Sequence, residues 1–204
     1  AWPADAGGPR GAPRADEAGR QLRATRADRK SQGNLSGVRG IFLLDGGLYQ
    51  AIIYTAQMRF VTAASKKMSV VTEQHIALAQ IRLELASRLD LRYEVPVDEV
   101  VAVVRGVLSD LGTTESDIGL RARAEVNMKN IACIHSPMLP LAEATHVRNR
   151  LIAARRAGLS AIRAEWVALM QHHAFTPAAR KSAAQAEAHA DAAWARLAPI
   201  YEAQ

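Results

Sequence analysis

Any chemistry in this chain has to start from its six histidines and single cysteine, a sparse supply for 204 residues. Glu143-Ala-Thr-His146 is a Glu-x-x-His step, the spacing with which a helix turns a carboxylate and an imidazole toward a carboxylate-bridged di-iron centre. Such a centre takes a second Glu-x-x-His pair and two further glutamates. Glu187-Ala-His189 has the wrong step, so Glu143 and His146 read as a surface or structural pair. Cys133-Ile-His135 sets a thiol near an imidazole, but neighbours along a loop lack the geometry of a nucleophile held by its base. Within the apolar run Ile131-Ala132-Cys133-Ile134 the thiol reads as buried and inert. A single cysteine also excludes an internal disulfide and a multi-cysteine metal site.

The remaining polar groups are no more specific. His75 falls on an apolar helical face, the place of a hydrogen-bonded core or interface histidine. His172-His173 stand where a helix ends, and cations there suit its dipole. Asp45-Gly46-Gly47 matches neither a P-loop nor a dinucleotide fingerprint, and Ser65-Lys66-Lys67 reads as a solvated face. No catalytic residue, cofactor or metal is assigned.

The elements that would carry these groups read as helices. Ile53, Phe60, Ala64, Met68, Val71, His75, Leu78, Ile81, Leu85 and Leu89 recur at steps of three, four or seven, the spacing of one helix face. Capped by Asp45, this first helix would run from near Leu48 to about Leu89, a rod of roughly 60 Å at about 1.5 Å per residue. Pro96 opens a second helix whose first turn holds Asp98 and Glu99; Val97, Val100, Val104, Val107 and Leu111 give it a helical period up to Gly112. A short helix is read over Leu120 to Ile134, a third long one from Pro137 to about His173 with a kink or close crossing at Gly158, and a last one from Pro177 to about Glu202. Aromatics are only 5% of the chain, which leaves little for a β-sandwich core. The fold class expected is all-α: an elongated bundle of four to five helices, two of them long and antiparallel, with no sheet.

Residues 1–36 are set apart as a disordered or extended arm, rich in Gly, Pro and Arg, ahead of a helical domain over 37–204. Within the first forty residues eight basic groups face four acidic ones, so most of the chain's net charge of +6 sits there. Arg20, Arg23, Arg26 and Lys30 would form one basic ridge if that stretch became helical on a partner. No run of about twenty apolar residues exists to span a membrane. The chain begins at Ala1 rather than methionine, compatible with a processed, targeted protein, and the compartment stays open.

The functional reading is a non-catalytic structural or accessory subunit of a larger protein assembly, hetero- or homo-oligomeric. It would act through the arm and through the helix stripe at Phe60, Met68, Val71, Leu78 and Leu85. The alternative is a nucleic-acid-associated protein that binds phosphates, or another anionic surface, through the basic arm; an enzyme with an unrecognised active site comes third.

Overall fold

A computed structural model describes residues 39–128 and 132–202. Strand β1 (Ile41–Leu44) turns through Asp45-Gly46-Gly47 into β2 (Leu48–Thr55), which turns through Ala56-Gln57 into β3 (Met58–Val61). Helices α1 (Met68–Arg88) and α2 (Val97–Asp110) follow. The chain then re-enters the sheet as β4 (Arg121–Met128), beside β3, and β5 (Ala132–His135). Helices α3 (Leu141–Ala157), α4 (Leu159–Met170) and α5 (Ala183–Glu202) complete the described fold. Strand order is β1-β2-β3-β4-β5, every pair antiparallel, and the sheet curls as a half-barrel.

Period-two alternation decides which side of the sheet is dry. Along β4, Ala122, Ala124, Val126 and Met128 point inward and are buried, while Arg121, Arg123, Glu125 and Asn127 point outward. Ile41, Ala51, Ile53, Phe60 and Ile134 share the inner face. Helix α1 packs across β2, α3 packs across β4, and α2 lies against both helices; α4 stacks on α3 and α5 on α4. The small inward residues of β4 let α3 approach closely.

The all-α bundle expected from the sequence is therefore wrong: this is a mixed fold built on a five-stranded sheet. No helix of forty residues exists among the described residues; the longest, α1, has 21. The stripe from Leu48 to Leu89 crosses two strands before α1 begins. Ile53 and Phe60, seven apart, are directly opposed cross-strand partners on the inner face. Asp45 caps no helix but opens a hairpin turn whose Gly46 and Gly47 have φ of +79° and +74°. Leu120 to Ile134 is the end of a loop and the β4–β5 pair, not a helix. The long segment from Pro137 is two helices, broken at Gly158, where φ is +112°. The valine-rich α2 is a helix, with Val100, Val104, Val107 and Leu108 turned into the core. Residues 1–36, with Arg20, Arg23, Arg26 and Lys30, lie outside the described residues.

One buried cation ties these layers together. Arg148 of α3 is fully buried. Its Nε donates to Ala56 O at 2.7 Å, Nη1 to Tyr93 O at 3.1 Å and Asn149 Oδ1 at 2.9 Å, and Nη2 to Leu91 O. Asn149 extends the clamp, donating from Nδ2 to Val95 O at 2.7 Å and accepting from Val95 N at 3.3 Å. Among the described residues no carboxylate touches the guanidinium, so its charge is spread over carbonyl dipoles. Burial lowers its pKa, and Glu94 offsets part of that.

The β2–β3 turn that Arg148 holds has Ala56 at φ +55° and Gln57 at +60°, the two-residue geometry that Asn-Gly normally adopts. Neither residue favours that region, so an outside contact must hold the turn. Replacing Arg148 by methionine keeps length and bulk but orphans the carbonyls of Ala56, Leu91 and Tyr93. The expected loss in urea unfolding is about 3 kcal/mol. A loss below about 1 kcal/mol would show that the clamp is incidental.

Candidate functional site

With the inner face consumed by packing, the outer face of β2–β5 is where polar side chains collect. The register places Arg59 of β3 opposite Tyr54 of β2 and also opposite Arg123 of β4. Arg123 is neutralised by Glu125, whose Oε2 accepts from its Nε at 3.0 Å and its Nη2 at 2.8 Å. Arg59 has no such partner: its guanidinium lies 5.2 Å from the Tyr54 ring centroid, and its buried Nε bonds to nothing. Arg121, opposite Val61, is exposed and makes no ion pair among the described residues. Like charges directly opposed across a strand pair are unfavourable, and Glu125 relieves this pair by neutralising Arg123.

Cys133 and His135 join this face from β5. The thiol is exposed, not buried as its apolar neighbours suggest, because alternation sends Ile134 inward and both its flanking residues outward. Cys133 Sγ donates to Glu125 Oε1 at 3.5 Å. Partial burial, then the Glu125 carboxylate, push its pKa up. His135, opposite Glu125 and edge-on to Phe175, is held below the usual histidine range by burial first and Arg123 second. A cysteine nucleophile needs the reverse: a base on the thiol and an acid behind the base. Here burial, and after it the carboxylate that faces the sulfur, raise the thiol pKa.

The second feature is a groove of about 690 Å³ beside the β1–β2 edge. Arg39, Phe42, Ile52 and Tyr54 line it from the sheet side, and His75, Ala79, Arg82 and Leu83 from α1. No acidic residue lines it. Gly40 closes one end at φ +93°, where a Cβ would stand 2.3 Å from His75 Nε2. Only glycine lets the chain turn there against the imidazole.

The other sequence-selected residues are scattered. Phe60, Val71, Leu78 and Leu85 are buried in this chain's own core, and Met68 packs against it at the start of α1. Glu143 and His146 stand exposed on α3. Glu187 pairs with Arg163, while His189 meets the Trp166 ring edge-on at 5.4 Å. His172 and His173 stack at 4.4 Å, and His172 Nδ1 accepts from Ala174 N at 3.1 Å. Burial, then His173, lower the His172 pKa, so it serves as a neutral acceptor rather than a capping cation. Ser65 bridges to Tyr49 through two backbone hydrogen bonds, and Lys66 and Lys67 are exposed. No cluster of three or more metal-ligating side chains exists among the described residues.

Tyr54, Arg59, Arg121, Arg123 and Glu125 were missed by sequence reasoning. The unbroken alternation of residues 121–128 was the signal that could have found the last three. No family model, curated protein or solved structure matches this chain. No described helix is long and apolar enough to cross a membrane.

The protonated thiol gives a direct test. Alkylation of Cys133 by iodoacetamide at pH 8 should be slow, and Glu125→Gln should accelerate it several-fold by lowering the thiol pKa. Because burial is the larger cause, the shift should be partial. An unchanged rate would mean that Glu125 does not govern the sulfur.

Proposed function

We propose that the chain is a non-catalytic accessory subunit of a protein assembly, acting through surfaces beside α1. The observation that carries this reading is a groove of about 410 Å³ where α1 meets the loop after α2, with Val70, Ile76, Leu111 and Ile118 on its walls and Glu73 and Asp117 beside them. Ile76 is 49% exposed and Leu111 41%, although inward positions on the same two helices are nearly dry. Exposed apolar side chains gathered around one concavity are what a partner's side chain covers on docking. Ile76→Glu with Leu111→Glu should leave folding within about 0.5 kcal/mol, since both residues are exposed. In native mass spectrometry of the protein isolated from its source, the double variant should lose the partner mass that the wild type carries. A wild type that runs as a bare monomer overturns the reading.

A second reading rests on Arg59 and Arg121, the outer-face cations without carboxylate partners. These would contact phosphates of a single-stranded nucleic acid, with Tyr54 beside them for stacking. Binding of a fluorescent oligonucleotide should then weaken with salt, and Arg59→Gln with Arg121→Gln should reduce the log–log slope by about 2. A slope unchanged by the substitutions removes this reading.

A further inference from the structure

We infer that the seam between α1 and α2 seats a basic amphipathic helix of a partner protein, which crosses α2 at Gly106. The inference rests on the accessory-subunit reading and names the chemistry of the partner segment.

One glycine supplies the first half of the argument. Gly106 lies within α2, a turn before its end. Glycine there is unfavourable relative to alanine, because it gives up the most backbone freedom on folding. Nothing among the described residues demands it: its φ is not positive, and a Cβ built on it would meet no atom within 4 Å. It faces a cavity of about 400 Å³ bounded by Gln80, Leu83 and Glu84 of α1 and by Val103 and Asp110 of α2. The groove at Ile76 and Leu111 lies further along the same seam. A missing side chain on a helix surface lets a crossing helix come close. The seam lies between two helices, so no strand register runs into it, and the sheet edge meets α1 on the other flank, at His75. From Val70 to Arg88 it follows α1 for about 27 Å, the length of a partner helix of about eighteen residues.

The side chains supply the second half. Leu83, at 67% the most exposed large apolar side chain among the described residues, stands on the seam with Ile76 and Leu111. The cations beside it are already paired, Arg88 with Glu84 at 2.8 Å and Arg105 with Glu115 at 2.8 Å. Glu73, Asp110 and Asp117 make no ion pair among the described residues. Asp117 accepts only from the amide and hydroxyl of Thr114, which leave its charge in place. Uncompensated carboxylates along an apolar seam fit a helix with leucine-like residues on one face and lysine or arginine on its flanks. The apolar anchors supply affinity, and the carboxylates choose the charge of the partner.

The test is titration of the isotopically labelled full chain with a capped, stapled helical peptide of about eighteen residues. It carries leucine at steps of three and four and lysine elsewhere, and its control has glutamate for lysine. The lysine peptide should shift the amides of Ile76, Gly106 and Leu111. The glutamate peptide should bind at least about tenfold more weakly. Glu73→Gln with Asp110→Asn should weaken the lysine peptide several-fold. Gly106→Trp fills the seam and should abolish binding, whereas Gly106→Ala should melt at or above the wild type. Should Gly106→Trp not fold, Gly106→Gln fills the same space with a side chain that suits a helix, and it should bind at least about tenfold more weakly. Equal binding of the two peptides, binding of neither, unchanged binding in the filled variant, or shifts confined to the sheet overturn the proposal. So does a concentration-independent carbodiimide cross-link from Glu73 or Asp110 to Lys30, which assigns the seam to this chain's own N-terminal residues. Concentration-dependent protection of Ile76 and Leu111 without peptide overturns it too, by assigning the seam to a second copy. A partner mass lost in Ile76→Glu with Leu111→Glu but kept in Gly106→Trp overturns this inference alone. A wild type that runs as a bare monomer overturns the accessory-subunit reading itself.

Discussion

The fold depends on a buried guanidinium whose hydrogen bonds go to backbone carbonyls and an amide rather than to a carboxylate. Arg148 reaches from α3 to the β2–β3 turn and to the segment between α1 and α2, three stretches far apart in the chain. A buried charge must find ligands, and only folded backbone supplies enough carbonyls in one place. The arginine therefore becomes satisfied only when sheet, helical insert and C-terminal helices are docked together. That makes it a cooperative latch, and it explains how a hairpin turn of alanine and glutamine persists at positive φ without glycine.

Docking at that latch commits one face of the sheet to helices α1 and α3, and the polar side chains of β4 and β5 collect on the other. The consequences for function follow from the pleat. Because side chains alternate strictly, each inward residue on β4 or β5 has an outward neighbour, and the outward set holds arginine, glutamate, asparagine, cysteine and histidine. Within that set Glu125 accepts from the Arg123 guanidinium and from the Cys133 thiol. The same sheet carries these polar side chains on its outer face, and a groove lies where β1 and β2 meet α1.

Helix α2 was legible in the sequence because its cues agree: acidic residues in the first turn, a helical valine period and a glycine just beyond the end. The break in the segment after Pro137 was marked by Gly158, whose backbone only glycine adopts readily. The β2–β3 hairpin was not legible for a specific reason. With a two-residue turn at 56–57, partners at 53 and 60 are seven apart, which is also two turns of helix. Ala56-Gln57 carries none of the residues that announce a turn, so local signals could not break the tie. In β4 the alternation was present but its inward residues are mostly alanine, a helix former by propensity.

The sequence by itself determined the helical period of α2, the sparse chemistry of six histidines and one thiol, and the excess of positive charge. Those are local or additive properties, which need no knowledge of distant residues. Tertiary structure alone decided that Phe60, Val71, Leu78 and Leu85 close this chain's own core. It also decided that Cys133 faces solvent and a carboxylate, and that Tyr54 lies beside the Arg59 guanidinium. Those outcomes turn on which strand lies beside which, and strand pairing is a long-range choice that no short window of sequence contains.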